Sequence, residues 1–202
     1  MKYHYSVDAG ETVYNGFFKF NRYTVSFETF DGDILHNIYR ECGKKGDIVA
    51  VIPYDPVRQE VLLIEQFRIG MVVRGVHPWN LEIVAGFMDV AGEDEATTAK
   101  RELNEETGCQ ATALHPLIAY YPSPGGSASR VHIFIAEVDA SQALPHTGIK
   151  AEGEDIRVHR LSLAELREKV ANNDIDNATA IIAFQQFFIG GWPEKLTAAQ
   201  AP

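Results

Sequence analysis

Cysteine is scarce in this chain: Cys42 and Cys109 are the only two among 202 residues, and they form no CxxC pair and no metal-ligand spacing. Both read as reduced, unpaired thiols rather than as a covalent or zinc-bound framework. Long apolar runs are missing as well. No stretch approaches the roughly 20 residues that span a bilayer, and the opening MKYHYSVDAGETVY lacks the apolar core of a secretory signal. No membrane partner is therefore expected, and a cytoplasmic location is the expectation. Positive charge is also short: Lys and Arg number 18 against 28 Asp and Glu, a formal net charge of −10. That is the wrong sign for a protein that grips nucleic acid by neutralising phosphates. A phosphorylated small substrate would need metal ions and a few local arginines to offset the repulsion. The seven histidines (His4, His36, His77, His115, His132, His146, His159) show no pairing at ligand spacing and receive no role.

What the chain does have is enough apolar content, 46%, to bury a substantial core. Residues 12 to 41 are rich in aromatic and β-branched side chains broken by Asp31-Gly32-Asp33, which predicts a hairpin of Tyr23–Phe30 with Ile34–Tyr39. Asp47–Pro53 and Glu60–Phe67 read as buried strands joined by a turn at 54 to 59. Trp79–Val84 is a short strand leading into Gly86. Further strands are predicted around Ala113–Tyr121, Val131–Val138 and Ile156–Leu161, and helices over Ser162–Asn172 and Asn177–Phe188. The fold class expected is α/β, a mixed sheet between helices. Its organisation is 1–45, a β-rich segment; 46–190, the main domain; and 191–202, a flexible tail.

The most informative stretch lies between residues 86 and 109. A helix is predicted to start at Asp94 as N-cap and to end at Gly108, with Ala96, Ala99, Leu103 and Thr107 as its inner face. Glu102, Glu105 and Glu106 fall on one side within a turn, expected to look away from the core, where like charges repel. A glutamate-rich helix face is in most chains simply solvated. Here it is joined to Gly86, Glu93, Arg101 and Gly108 in a fixed order, and a hard divalent cation bound through carboxylate oxygens would offset the repulsion.

This order of residues, glycine, then glutamate, seven residues, Arg-Glu, an apolar residue, one more, Glu-Glu, one more and glycine, resembles the Nudix box. One departure is visible, since six residues instead of five separate Gly86 from Glu93. Outside the box, Tyr54-Asp-Pro-Val-Arg58 with Ile64-Glu-Gln-Phe-Arg68, Pro78-Trp-Asn-Leu-Glu-Ile-Val-Ala-Gly86 and Ser123-Pro-Gly-Gly126 are similar to the ADP-ribose pyrophosphatase branch of that family.

The resemblance implies a Nudix-type α/β/α sandwich with a small N-terminal dimerisation segment. It also implies a Mg²⁺-dependent enzyme, with Mn²⁺ as a substitute, that hydrolyses ADP-ribose to AMP and ribose 5-phosphate as a homodimer. By the same resemblance Glu102, Glu106 and the carbonyl of Ala85 ligate metal, Glu105 is a further or supporting ligand, and Arg101 pairs with Glu93. An ordinary i,i+4 pair of Arg101 with Glu105 is the alternative. Glu152-Gly-Glu-Asp-Ile-Arg-Val158 matches a mobile loop carrying the catalytic base, assigned to Glu152 with Glu154 as a metal ligand or its replacement. Arg68 would reach phosphate or ribose, Glu82 ribose hydroxyls, and Arg40 with Phe17 or Phe18 an adenine, a core role for Phe17 and Phe18 being the alternative, with Pro124 as the branch marker. The same chemistry on another nucleoside diphosphate sugar such as GDP-mannose is the runner-up, and a ligand-sensing module without turnover stands third.

Overall fold

The computed structural model describes residues 3–200, the side chain of Glu152 excepted. These fall into two compact units, one formed by the chain up to Asp47 together with Tyr121–Arg130, the other by Ile48–Tyr120 and the chain from Val131 onward.

The first unit is an antiparallel sheet of four strands: β1 (Tyr5–Val7), β2 (Glu11–Asn15), β3 (Lys19–Glu28) and β4 (Ile34–Lys44). The expected hairpin is present, but both strands are longer than the pattern suggested. β3 pairs with β4 along its whole length and with β1 and β2 end to end on its other edge. Gly32, at φ 92°, makes the turn, a backbone conformation that favours glycine. The Tyr121–Arg130 segment joins this unit through Gly43, whose N–H donates to the Gly126 carbonyl at 2.9 Å.

The second unit is a mixed sheet clasped by helices. Its strands are β5 (Ile48–Asp55), β6 (Glu60–Phe67), β7 (Trp79–Glu82), β8 (Val84–Phe87), β9 (Ala113–Tyr120), β10 (Val131–Glu137), β11 (His146–Thr147) and β12 (Ile156–Ser162). β5 runs parallel to β10, and every other pairing is antiparallel. β5 and β6 pair only next to their connecting turn and then part, β7 attaching to β6 and β8 to β5. The predicted single strand over 79–84 is thus two strands divided at Ile83, which passes from one branch of the fork to the other.

Alternation along β5 and β6 creates two cores. Ala50, Ile52, Tyr54, Val61 and Leu63 pack with Phe184 and Phe187 of helix α4 (Ala178–Ile189), while Val49, Val51, Leu62 and Ile64 pack with Ala99 and Leu103 of helix α2 (Glu95–Thr107). Burial of both faces explains why these strands read as continuous apolar runs. α2 is capped as expected, Asp94 accepting from the Thr97 N–H and Gly108 following at φ 75°. Helix α3 (Leu163–Ala171) opens with a reciprocal Ser162/Glu165 capping box. The short helix α1 (Ile69–Arg74) has no side-chain N-cap and no buried residue, so no sequence signal announces it.

The expectation of a flexible tail over 191–202 is corrected. Trp192–Ala198 form helix α5, with Pro193 and Leu196 buried and the Thr197 hydroxyl 3.1 Å from Tyr54 OH. The small-residue run Thr197–Ala199 concealed it, because Leu196 is anchored by a distant core rather than by local propensity. Ala201 and Pro202 lie outside the described residues. No described helix is long and apolar enough to cross a membrane.

Candidate active site

β8 and α2 are joined through polar groups. The N–H of Ala85 donates to Glu106 Oε2 at 3.0 Å. One residue on, Gly86 lies so close to the helix that a Cβ there would collide with the Glu102 carboxylate. Glycine stands at that position to permit close approach of strand and helix.

The expectation that the α2 carboxylates look away from the core is corrected for Glu106, which is 4% exposed. It lies three residues after the buried Leu103 and next to the buried Thr107, on the edge of the inner face. The strand N–H that needs a partner there makes this burial tolerable. Burial pushes the Glu106 carboxyl well above the ordinary range; the Ala85 N–H opposes that push, while the charges of Glu102 and Glu154 add to it. Burial also raises Glu102, against the pull of Arg101 and with the push of Glu105 and Glu154.

Arg101 ties this acidic face together. Its Nε meets the two oxygens of Glu93 at 3.3 and 3.2 Å, and Nη1 reaches Glu102 at 2.8 Å and Glu105 at 3.0 Å. Both sequence alternatives for Arg101 therefore coexist. Burial works against the guanidinium charge, but Glu102, Glu93 and Glu105 outweigh it and raise the pKa. Thr98 Oγ1 donates to Glu93 at 3.1 Å, a support the motif does not name. The extra residue ahead of Glu93 is absorbed in a turn, where Gly92 sits at φ 89° and the Glu93 N–H donates to the Val90 carbonyl at 3.3 Å.

Arg68 and Glu82 close on each other, Nε to Oε1 at 2.9 Å and Nη2 to Oε2 at 2.7 Å. The Glu82 hydrogen bonds raise the Arg68 pKa, burial opposes this, and the charges of Glu106 and Glu154 reinforce it. Two side chains assigned by resemblance to substrate thus satisfy one another in a bidentate pair.

The carboxylate loop begins and ends at left-handed glycines, Gly148 at φ 99° and Gly153 at φ 78°, around a 3-10 turn at Lys150–Glu152. Ile149 and Glu154 close its neck: the Glu154 N–H donates to the Ile149 carbonyl at 3.3 Å, and the Ile149 N–H to Glu154 Oε2 at 3.5 Å. The role expected of Glu152 concerns a side chain outside the described residues.

A divalent cation fits this donor set. Glu102 and Glu106 offer hard carboxylate oxygens whose burial and mutual repulsion a cation would relieve. Among the described residues no group of three or more acidic, imidazole or thiol side chains is gathered closely enough to hold a metal ion by itself. Mg²⁺ does not require one, because it takes one or two carboxylates and completes its shell with water and phosphate.

In the first unit Phe17 and Phe18 pack edge to face with centroids 4.9 Å apart, and Lys45 Nζ lies 3.2 Å over the Phe17 ring. Arg40 Nη1 donates to the Tyr39 carbonyl at 2.9 Å. Lys45, a residue that no motif in the sequence singles out, thus places a cation on Phe17. Pro124 lies in a turn whose Gly126 and Ser127 N–H groups donate to the Ser123 carbonyl at 3.0 and 2.8 Å.

Comparison with known proteins gives these contacts a context. A NUDIX domain model matches residues 44–181. The ADP-ribose pyrophosphatase of Escherichia coli (strain K12) is 40% identical over 177 residues, covering 88% of this chain and 84% of that protein. The GDP-mannose pyrophosphatase of Cronobacter sakazakii is 32% identical over 177 residues, covering 87% of this chain and 90% of that one. A solved structure described as an ADP compounds hydrolase is similar with a TM-score of 0.70 and 23% identity over 95% of each chain, a likeness of fold.

Proposed function

The chain belongs to the NUDIX domain family, and from that premise we propose that it hydrolyses the pyrophosphate bond of ADP-ribose, releasing AMP and ribose 5-phosphate. The observation that carries this reading is the acidic face of α2, with Glu106 buried against the Ala85 N–H and Arg101 spanning Glu93, Glu102 and Glu105. Glu102, Glu106 and the Ala85 carbonyl hold the divalent ion, Mg²⁺ in the first instance with Mn²⁺ able to replace it. When bound, such an ion neutralises phosphate charge and makes water a better nucleophile.

The protein's own groups do the remainder. Arg101 keeps the α2 carboxylates from splaying, and its contact with Glu105 leaves that residue a supporting part rather than a principal ligand. Arg68 leaves Glu82 to take a substrate phosphate, and Glu82 then accepts from ribose hydroxyls. Glu152 removes the proton from the attacking water, with Glu154 as a ligand or as its replacement. Closure of a loop between two glycines also excludes competing water. Base recognition is assigned to Arg40, Phe17, Phe18 and Pro124 in the N-terminal unit, by stacking and cation–π contact. The exposed Tyr5, Tyr14, Phe30, Ile34 and Tyr39 of that unit support a homodimer, which light scattering on the intact chain tests.

The 32% identity to a GDP-mannose pyrophosphatase favours one second reading, the same chemistry on GDP-mannose. Phosphate released by a coupled phosphatase, from ADP-ribose, GDP-mannose, UDP-glucose and NADH with and without Mg²⁺, decides between them. ADP-ribose well ahead supports the proposal. GDP-mannose ahead moves the substrate and keeps the mechanism, whereas binding without turnover would point to a sensing module.

A further inference from the structure

The C-terminal end of α2 is closed by a segment that leads directly into the carboxylate loop. The last carbonyls of a helix lack partners within it. Here the Thr107 carbonyl accepts the N–H of Leu144 at 3.0 Å, and the Glu106 carbonyl accepts the hydroxyl of Thr147 at 2.6 Å. Leu144 packs so tightly over Gly108 that a Cβ there would press on it. The residue after Thr147 is Gly148, where a Cβ would press on the Glu154 backbone at the neck of the loop. The backbone of Thr147 is in turn held in the β11–β12 ladder opposite Ile156.

Thr147 thus stands between two parts of the site. On one side is the main chain of Glu106, whose side chain accepts from Ala85. On the other is the closed neck from Ile149 to Glu154. Capping alone would be served by any donor at this point. What a cap does not require is placement one residue before the left-handed glycine at which the loop leaves the sheet.

We propose that Thr147 is a positioning residue, whose hydroxyl bond to the Glu106 carbonyl fixes the neck of the loop and hence the Glu154 carboxylate relative to the acidic face of α2. The role rests on the hydrolase reading above for its catalytic consequence, though the tether itself does not. Loss of the hydroxyl leaves the Glu106 carboxylate, the Arg101 network and the substrate contacts in place. It frees the neck to shift by a fraction of an ångström or more, and misplacement on that scale costs catalysis far more than binding.

The test compares Thr147→Val, which keeps the shape and removes the donor, with Thr147→Ser, which keeps the donor. Steady-state turnover of ADP-ribose in Mg²⁺ and amide hydrogen exchange of the intact chain are measured for both. Thr147→Val should lower kcat about 10- to 100-fold with KM within about threefold, and should speed exchange at residues 149–155 while that of β5 and β10 stays unchanged. Thr147→Ser should recover most of kcat and the slow exchange. A valine variant with wild-type kcat, or one whose sheet amides exchange faster in parallel with the loop, overturns the proposal. Should the wild type turn over neither ADP-ribose nor GDP-mannose, the hydrolase reading fails by itself, and the loop exchange of the two variants still decides whether Thr147 is the tether.

Discussion

The two sheets use their apolar residues in opposite ways. In the second unit β5 is buried on both faces, Val49 to Ile52 and Tyr54 all at 0% exposure, and its neighbours carry the helix that bears the acidic face. In the N-terminal unit large apolar residues remain on the surface, Phe30 at 93% being the extreme. Apolar surface removed from water stabilises at roughly 25 cal/mol per Å², so the first arrangement holds a fold. The second leaves surface for a partner or a ligand. Buried apolar packing is thereby concentrated in one unit, and exposed apolar surface in the other.

The comparison breaks most visibly at Glu106. Glu106→Gln keeps an oxygen for the Ala85 N–H and removes the charge, so kcat/KM should fall about a thousandfold, ~4 kcal/mol in barrier. Thermal stability should hold, because burial already penalises that charge. Chelation of divalent ions should give the same loss, reversed by Mg²⁺. Near wild-type turnover by the variant in the phosphate-release assay would remove Glu106 from the metal site.

Next in size is the core. Phe184→Ala, at a fully buried position, should cost about 3–5 kcal/mol in denaturant unfolding, while Phe30→Ala should stay within about 0.5 kcal/mol. Equal costs would mean that the N-terminal sheet is more than a recognition surface.

A smaller effect depends on pH. Asp55 is 1% exposed and accepts the N–H groups of Val57, Arg58 and Ala140, each at 2.9 Å, and the Arg58 guanidinium at 2.9 Å. Burial alone would raise its pKa, but these donors outweigh burial and lower it. A carboxyl whose folded pKa lies below its unfolded value contributes stability above the unfolded value, near about 4. That contribution is lost as pH falls through the folded pKa. Asp55→Asn should cost about 1.5–3 kcal/mol at neutral pH, and the gap to wild type should narrow in acid. A gap constant down to about pH 2 would contradict the linkage. Smallest of all, Tyr39→Ala should leave unfolding within about 0.5 kcal/mol of wild type yet, in the homodimer proposed above, lower the dimer fraction seen by light scattering. An unchanged fraction would take Tyr39 out of the proposed interface.

The main sheet was largely legible because its strands are long, apolar and flanked by turn residues, and α2 because Asp94 and Gly108 mark its ends. Two features misled. Trp79–Val84 has the composition of one strand, but its register belongs to two partners, and only the forking of β5 from β6 determines where it divides. Helix α5 lacks a strong amphipathic pattern and is held by Leu196, buried against residues far away in sequence. The site shows the same pattern. Glu93, Arg101, Glu102 and Glu106, which lie together in the structure, were singled out by order and spacing, while Thr98 and Thr147 were not, because a lone threonine carries no signal until its neighbour in space is known.

The sequence by itself determined the α/β class, the capped acidic helix and the ordered set of carboxylates with their arginine, because these depend on local periodicity and on residue types a few positions apart. Only the tertiary structure decided that Glu106 is buried against a strand N–H, that Arg68 and Glu82 satisfy each other, and that Thr147 fastens the loop to the helix. Each of those rests on a hydrogen bond between residues 14 to 41 positions apart in the chain. Such a bond exists only once the packing of the sheet has brought its donor and acceptor within reach.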